Sequence, residues 1–168
     1  MSAVIEGHHD DHHHGPAKGI TRWLYTTNHK DIGSLYLWFS FIMLFIGGAM
    51  AMVIRAELFE PGSQIVSPEF YNQMVTNHGL IMVFGVIMPA FVGLANWLIP
   101  MQIGAPDMAL PRLNNLSFWI LPAAFGVLLA TFFMEGGAPN FGWTFYAPLS
   151  TEYALSLIHI SEPTRPLG

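Results

Sequence analysis

The chain has 168 residues, of which 52% are hydrophobic and only 10% charged, where soluble domains carry about a quarter charged. That balance excludes an ordinary soluble domain and describes a membrane protein, while a formal net charge of −5 without a basic patch excludes nucleic acid as a partner. There is no cysteine, which rules out disulfides, thiolate catalysis and cysteine-held metal and leaves the redox compartment unmarked.

Residues 1–20 include the run HHDDHHH at 8–14. The run could serve as a metal-binding tract, but it reads better as a disordered, polar cytoplasmic extension that takes up metals only adventitiously. The start is acidic and His-rich rather than basic then apolar, so no cleavable signal peptide is expected and the first apolar span must act as its own insertion signal. Three spans without charge follow, at 32–54, 74–99 and 116–134, each roughly the 20 residues that a helix needs to cross a bilayer. Glycines within them (Gly47, Gly48, Gly85, Gly93, Gly126) permit close helix approach, and Pro89 and Pro122 are expected to kink their helices.

Charge sorts by loop. Lys18, Arg22 and Lys30 precede the first span and Arg112 lies between the second and third, whereas Glu57, Glu60 and Glu69 follow the first and Glu135 and Glu152 the third. The positive-inside rule then puts the N-terminus and the second loop in the cytoplasm and the other two loops outside. Arg55 is the exception. Either it pairs with Glu57 or with an anionic group docked between helices, because a permanent planar cation suits carboxylates, or it snorkels to headgroups.

His78 stands alone as an ionisable group inside the charge-free segment 74–100. Such residues usually face a bundle interior, a water path or a cofactor, and a neutral imidazole can bind iron through one ring nitrogen. The alternative is a histidine bonded to a neighbour's backbone or hydroxyl. Asn96, about five turns and 27 Å further along a straight helix, would share its face. With Asp107 and Asn114 it forms a polar cluster at the inner loop, which suits either a hydrated proton entry or, preferred on spacing alone, a turn and a capped helix start near Pro106 and Pro111.

The strings TNHKDIGSLY, IRAEL, VTNHGLIMVFGVIMP, GLANWLIPMQIGAPDMALPRLNNLSFWILP and GWTFYAPL occur in that order. Over 21–154 the chain closely resembles the N-terminal part of haem–copper oxygen reductase subunit I. The resemblance implies an all-α, polytopic membrane protein: three transmembrane helices of a larger bundle of about twelve helices, with every backbone group paired inside the membrane. It implies that His78 is an axial ligand of the low-spin haem, a haem of the a type, and that Arg55 bonds the haem formyl group and tunes its potential. Asp107 matches the mouth of the D proton pathway, Asn96 and Asn114 its hydrated neck, and Tyr36 and Ser117 polar groups along it. Glu57, Gly62 and Gln64 fall where relatives hold a peripheral calcium or sodium ion, although Glu60 replaces a histidine seen in some. Trp143 and Tyr146 match residues over the haem region.

The function so implied is that of a terminal respiratory oxidase in the bacterial inner membrane. Cytochrome c passes electrons through the copper-bearing subunit II to the low-spin haem and on to a second haem and copper, where oxygen becomes water with proton pumping; subunit III and membrane lipid complete the partners. After His29 the only histidines are His78 and His159, so the ligands of the high-spin haem and copper are expected on later helices and the chain on about the first quarter to third of a subunit. Taken alone, three such helices are expected to leave Asn96 and His78 facing lipid and to be unstable and inactive. From about Leu155 the resemblance breaks: LSLIHISEPTRPLG is too short and polar for a fourth span and looks like translated sequencing adapter, so 155–168 is set aside and His159 is not taken as a ligand. Two alternatives remain, a non-catalytic short membrane protein and a quinol-oxidising relative. Quinol oxidases tend to carry a histidine eight residues before the haem ligand and IGARD in the inner loop, where this chain has Phe70 and IGAPD; Gln73 fits both patterns. Nitric oxide reductases lack the D-pathway residues present here.

Overall fold

The computed structural model describes residues 19–62, 65–134 and 137–147. The His-rich run, Gln64, Glu135, Glu152, His159 and the segment 155–168 lie outside them.

All regular structure among the described residues is helical. A short helix α1 (Ile20–Tyr25), which the sequence reading did not anticipate, precedes α2 (His29–Glu57). The Asn28 side chain starts α2 by accepting from Lys30 N at 2.9 Å, and Arg22 of α1 grips Asp31 in its first turn at 2.9 Å. The second span is one composite helix of 36 residues: α3 (Pro68–Leu80), a π-helical segment (Ile81–Ile87) and α4 (Met88–Ile103). At 1.5 Å per residue it measures about 54 Å, so its polar N-terminal turns project beyond a hydrocarbon layer of about 30 Å. Ser67 caps it with Pro68 in the first position, and Gly104, at φ +69°, closes its inner end. Helix α5 (Pro111–Ala130) and a 3-10 turn (Thr131–Phe133) complete the third span, and the helix runs through Pro122 without interruption.

The disturbance expected at Pro89 takes the form of the π segment, in which Met88 N–H reaches back to Val83 O. Proline removes one donor from the ladder, and a wider turn accommodates the ring. Ser40 of α2 donates to Val86 O at 2.8 Å, a side-chain donor from a neighbouring helix close to the missing one.

Helix α2 is the spine. Its buried positions Ile32, Tyr36, Phe39, Met43, Gly47 and Met50 recur at three- and four-residue intervals, one face of a helix, and its buried side chains share one core with Met74, Ile81, Phe118 and Phe125. Phe39 meets Phe118 and Phe125 edge-on at centroid distances of 6.3 and 5.7 Å. Against α4 the approach is closer: a Cβ on Gly33 would fall 2.9 Å from Gly93 O, and one on Gly93 would fall 3.0 Å from Gly33 O. In lipid such close packing of small residues is a main source of helix association, because burying apolar side chains gains little. The opposite faces present Trp38, Phe45, Phe91 and Val127 outward, as a lipid-facing surface does.

Candidate functional site

At one end of the bundle, His78 lies in the last turn of α3, half-buried against α2. Its Nδ1 is 2.9 Å from Gly47 O. A carbonyl can only accept, so Nδ1 carries the hydrogen, and Nε2 then holds the lone pair that a metal would use. No hydrogen bond to Nε2 occurs among the described residues. Of the two readings of a lone membrane histidine, the bond to a neighbour's backbone is present at Nδ1, and it leaves Nε2 open to the other. The donor set suits haem iron on the protein's side with one axial position. Gly47 admits this arrangement because a Cβ there would strike Met82 Sδ at 2.7 Å.

The segment 137–143 folds back over α3 just before His78. Gly142 N donates to Thr76 Oγ1 at 2.9 Å, Asn77 Nδ2 donates to Gln73 O and Pro139 O, and Gly137 packs against the Gln73 amide. Asn77 is fully buried, a strong constraint on a loop. The Trp143 side chain comes to rest against Gly79, the residue after His78, at 3.3 Å from where a Cβ would stand. Tyr146 is exposed and makes no such approach.

Arg55 is exposed near the end of α2 and has no ion-pair partner among the described residues. Of its two expected partners, Glu57 is engaged elsewhere. The Glu57 carboxylate is buried and its Oε2 accepts from Ile65 N at 2.9 Å and Val66 N at 3.0 Å, closing the outer loop upon itself. Gly62, at φ +106°, occupies that loop in a conformation that favours glycine.

At the opposite end of the bundle, four of the five residues expected to carry protons form one connected chain. Asn114 Nδ2 donates to Asn96 Oδ1 at 2.8 Å, Ser117 Oγ donates to Asn114 O at 2.7 Å, and the Tyr36 hydroxyl is 2.8 Å from Ser117 Oγ, donating to it. Helices α2, α4 and α5 each supply a member. Asn96 is only 3% exposed, enclosed by Gly33 and Asn114, so the expectation that it faces lipid in these three helices alone does not hold. Nor is Asn114 a turn residue: it lies in the opening turn of α5, and its neighbour Asn115 donates to Thr26 O at 2.9 Å. His78 and Asn96 both face α2, as their spacing implied.

Asp107 stands apart from that chain. It accepts from Met108 N at 2.8 Å and lies 3.3 Å from Nδ1 of His29, a contact the sequence reading missed. His29 is buried in the first turn of α2, and its Nε2 has no hydrogen-bond partner among the described residues. The signal available was the position of His29 right after the capping Asn28, at the start of α2.

Comparison with known proteins matches residues 31–162 to the family described as Cytochrome C and Quinol oxidase polypeptide I. The chain is 49% identical over 138 residues to cytochrome c oxidase subunit 1 of Corynebacterium diphtheriae, covering 81% of this chain and 24% of that one. It is 50% identical over 135 residues to cytochrome c oxidase subunit 1 of Corynebacterium efficiens, covering 79% and 23%. A third relative, heme-copper oxidase subunit I+III of Aeropyrum pernix, is 50% identical over 131 residues, covering 78% and 16%. The chain therefore spans about a quarter or less of the length of these relatives.

Proposed function

Because the chain belongs to the cytochrome c and quinol oxidase polypeptide I family, we propose that it forms the N-terminal part of the catalytic subunit of a terminal respiratory oxidase, supplying one low-spin haem ligand and the entrance of a proton pathway. The observation that carries the reading is His78: its Nδ1–H is spent on Gly47 O at 2.9 Å, which fixes the ring and presents Nε2. A bound haem supplies one-electron transfer, here on the route from cytochrome c through subunit II to the haem–copper centre that reduces oxygen. The Gly47 carbonyl holds the tautomer and raises the basicity of the opposite nitrogen. Arg55, a fixed cation on the same outer side, would bond the haem's formyl oxygen, and Trp143 shields the turn of His78 from water. Tyr146, exposed and away from that turn, enters this reading only through its match to a residue over the haem region. Any further ligands of the haems and copper would come from helices beyond those described.

At the inner face, Asp107 collects protons from the cytoplasm with His29 as its neighbour, and the chain Asn96, Asn114, Ser117 and Tyr36 holds water in line beyond it. Amides and hydroxyls suit this task because each both donates and accepts, so neither end of a water file is rejected. The outer loop closed by Glu57, with Gly62 and Gln64, is where we set a peripheral calcium or sodium ion, whose hard oxygen ligands those residues can offer. Electron supply by cytochrome c rather than quinol rests on Phe70 and the IGAPD loop.

In the assembled oxidase carrying this chain, His78→Ala should abolish the low-spin haem absorbance, and an unchanged spectrum removes the ligand assignment. Asp107→Asn should slow turnover and proton uptake with haem content intact, and normal uptake removes the entrance role.

A further inference from the structure

On the inner half of the bundle, α2 and α4 border an outward-open groove of about 370 Å³, lined by Ser34, Leu37, Trp38, Phe41 and Trp97. Its floor is polar-neutral, because Trp97 Nε1 donates to Ser34 Oγ at 3.2 Å and leaves no unmet donor facing the groove. Its outer wall is aromatic: Trp38 and Phe41 meet edge-on at 6.0 Å and are 64% and 50% exposed. At its cytoplasmic end the Lys30 ammonium sits 5.9 Å from the Trp97 ring centroid.

Lys30 differs from the other cation nearby. Arg22 is neutralised by Asp31 through contacts of 2.9 to 3.2 Å, whereas Lys30 has no ion-pair partner among the described residues. Eleven residues separate Lys30 from Phe41, about 16 Å along a helix, close to one leaflet of a hydrocarbon layer of about 30 Å. A cation at the interface, the Trp97 indole beside it and an apolar groove walled by Leu37, Trp38 and Phe41 match the parts of a phospholipid in order: phosphate, glycerol level, acyl chain.

We propose that this groove is a binding site for an anionic glycerophospholipid of the inner leaflet, with its acyl chain along Leu37 and Phe41 and its headgroup phosphate at Lys30. The site is independent of the haem and proton reading, since none of its residues belongs to either set.

The test uses the assembled oxidase in bilayers that contain, at equal low mole fraction, phosphatidylglycerol or phosphatidylcholine bearing a photoactivatable diazirine at mid-chain, with labelled peptides mapped by mass spectrometry. Phosphatidylglycerol should label 34–41 and Trp97 about fivefold more than phosphatidylcholine, the preference that one basic residue at an anionic surface gives. Lys30→Gln should bring the two lipids to parity with an unchanged haem spectrum, and Lys30→Arg should keep the preference. Equal labelling by both lipids in the parent protein, a preference that survives Lys30→Gln, or absence of label here while α5 is labelled, which would mean that another subunit covers the groove, each overturns the proposal.

Discussion

Replacing Gly33 by alanine tests the close contact between α2 and α4. The new methyl carbon would stand 2.6 Å from Trp97 Cδ1, 2.9 Å from Gly93 O and 3.3 Å from Asn96 Cβ. An indole can swing aside, but a backbone carbonyl in mid-helix cannot, so α4 must retreat from α2 by at least about half an ångström to regain ordinary contact distances near 3.5 Å. Overpacking of this kind costs about 1–3 kcal/mol. The movement also pulls Asn96 away from Asn114, whose bond is already at its optimum of 2.8 Å. Gly48→Ala is the matched control, because a Cβ there meets nothing within 4 Å. In the assembled oxidase, thermal inactivation in detergent and proton uptake by reconstituted vesicles are the two readouts. Gly33→Ala should lower both relative to Gly48→Ala while the haem spectrum, set at the other end of the bundle, is unchanged. Equal stability and uptake in the two variants would refute the claim that this contact fixes the inner cluster.

Asn114→Leu removes the partner of the buried Asn96 amide and should cost about 1–3 kcal/mol through an unmet buried acceptor, with slowed proton uptake at intact haem content. Glu57→Ala frees the N–H groups of Ile65 and Val66, so hydrogen exchange at those two amides should accelerate while exchange within α2 stays as it was. Asn77→Leu breaks the tie between α3 and Pro139 O and should raise exchange across 137–143 and protease cleavage there. Unaltered exchange in either case removes the assigned role of that side chain.

The parts legible in the sequence were those with a long apolar signature. The spans at 32–54 and 74–99 lie within longer helices and the one at 116–134 begins five residues late and ends one residue past its helix, because the ends outside hydrocarbon continue on caps and polar turns that hydropathy does not register. The common face of His78 and Asn96 survived a π segment between them because each residue is held by its own contact to α2. Helix α1 escaped notice since six residues with Arg22 and two aromatics carry no clear period, and it is held by the Arg22–Asp31 pair, a contact nine residues apart. The approach of His29 to Asp107 joins positions 78 residues apart and has no local mark. Glu57 could be read as a partner for Arg55 from proximity in sequence, yet two backbone donors in the following loop outcompete a flexible exposed guanidinium.

The π segment has a wider meaning for how the second span is set. Like a slip ring in a drive shaft, it separates the angular setting of two working ends carried on one rod. Above it, the ring of His78 is indexed by a carbonyl of α2; below it, Asn96 is indexed by the paired glycines where α2 and α4 touch. A rigid α-helix would transmit any twist at one end to the other, 100° for each residue gained or lost. With seven residues of looser winding between them, the contact of His78 at one end and that of Asn96 at the other can each be aligned without disturbing its counterpart.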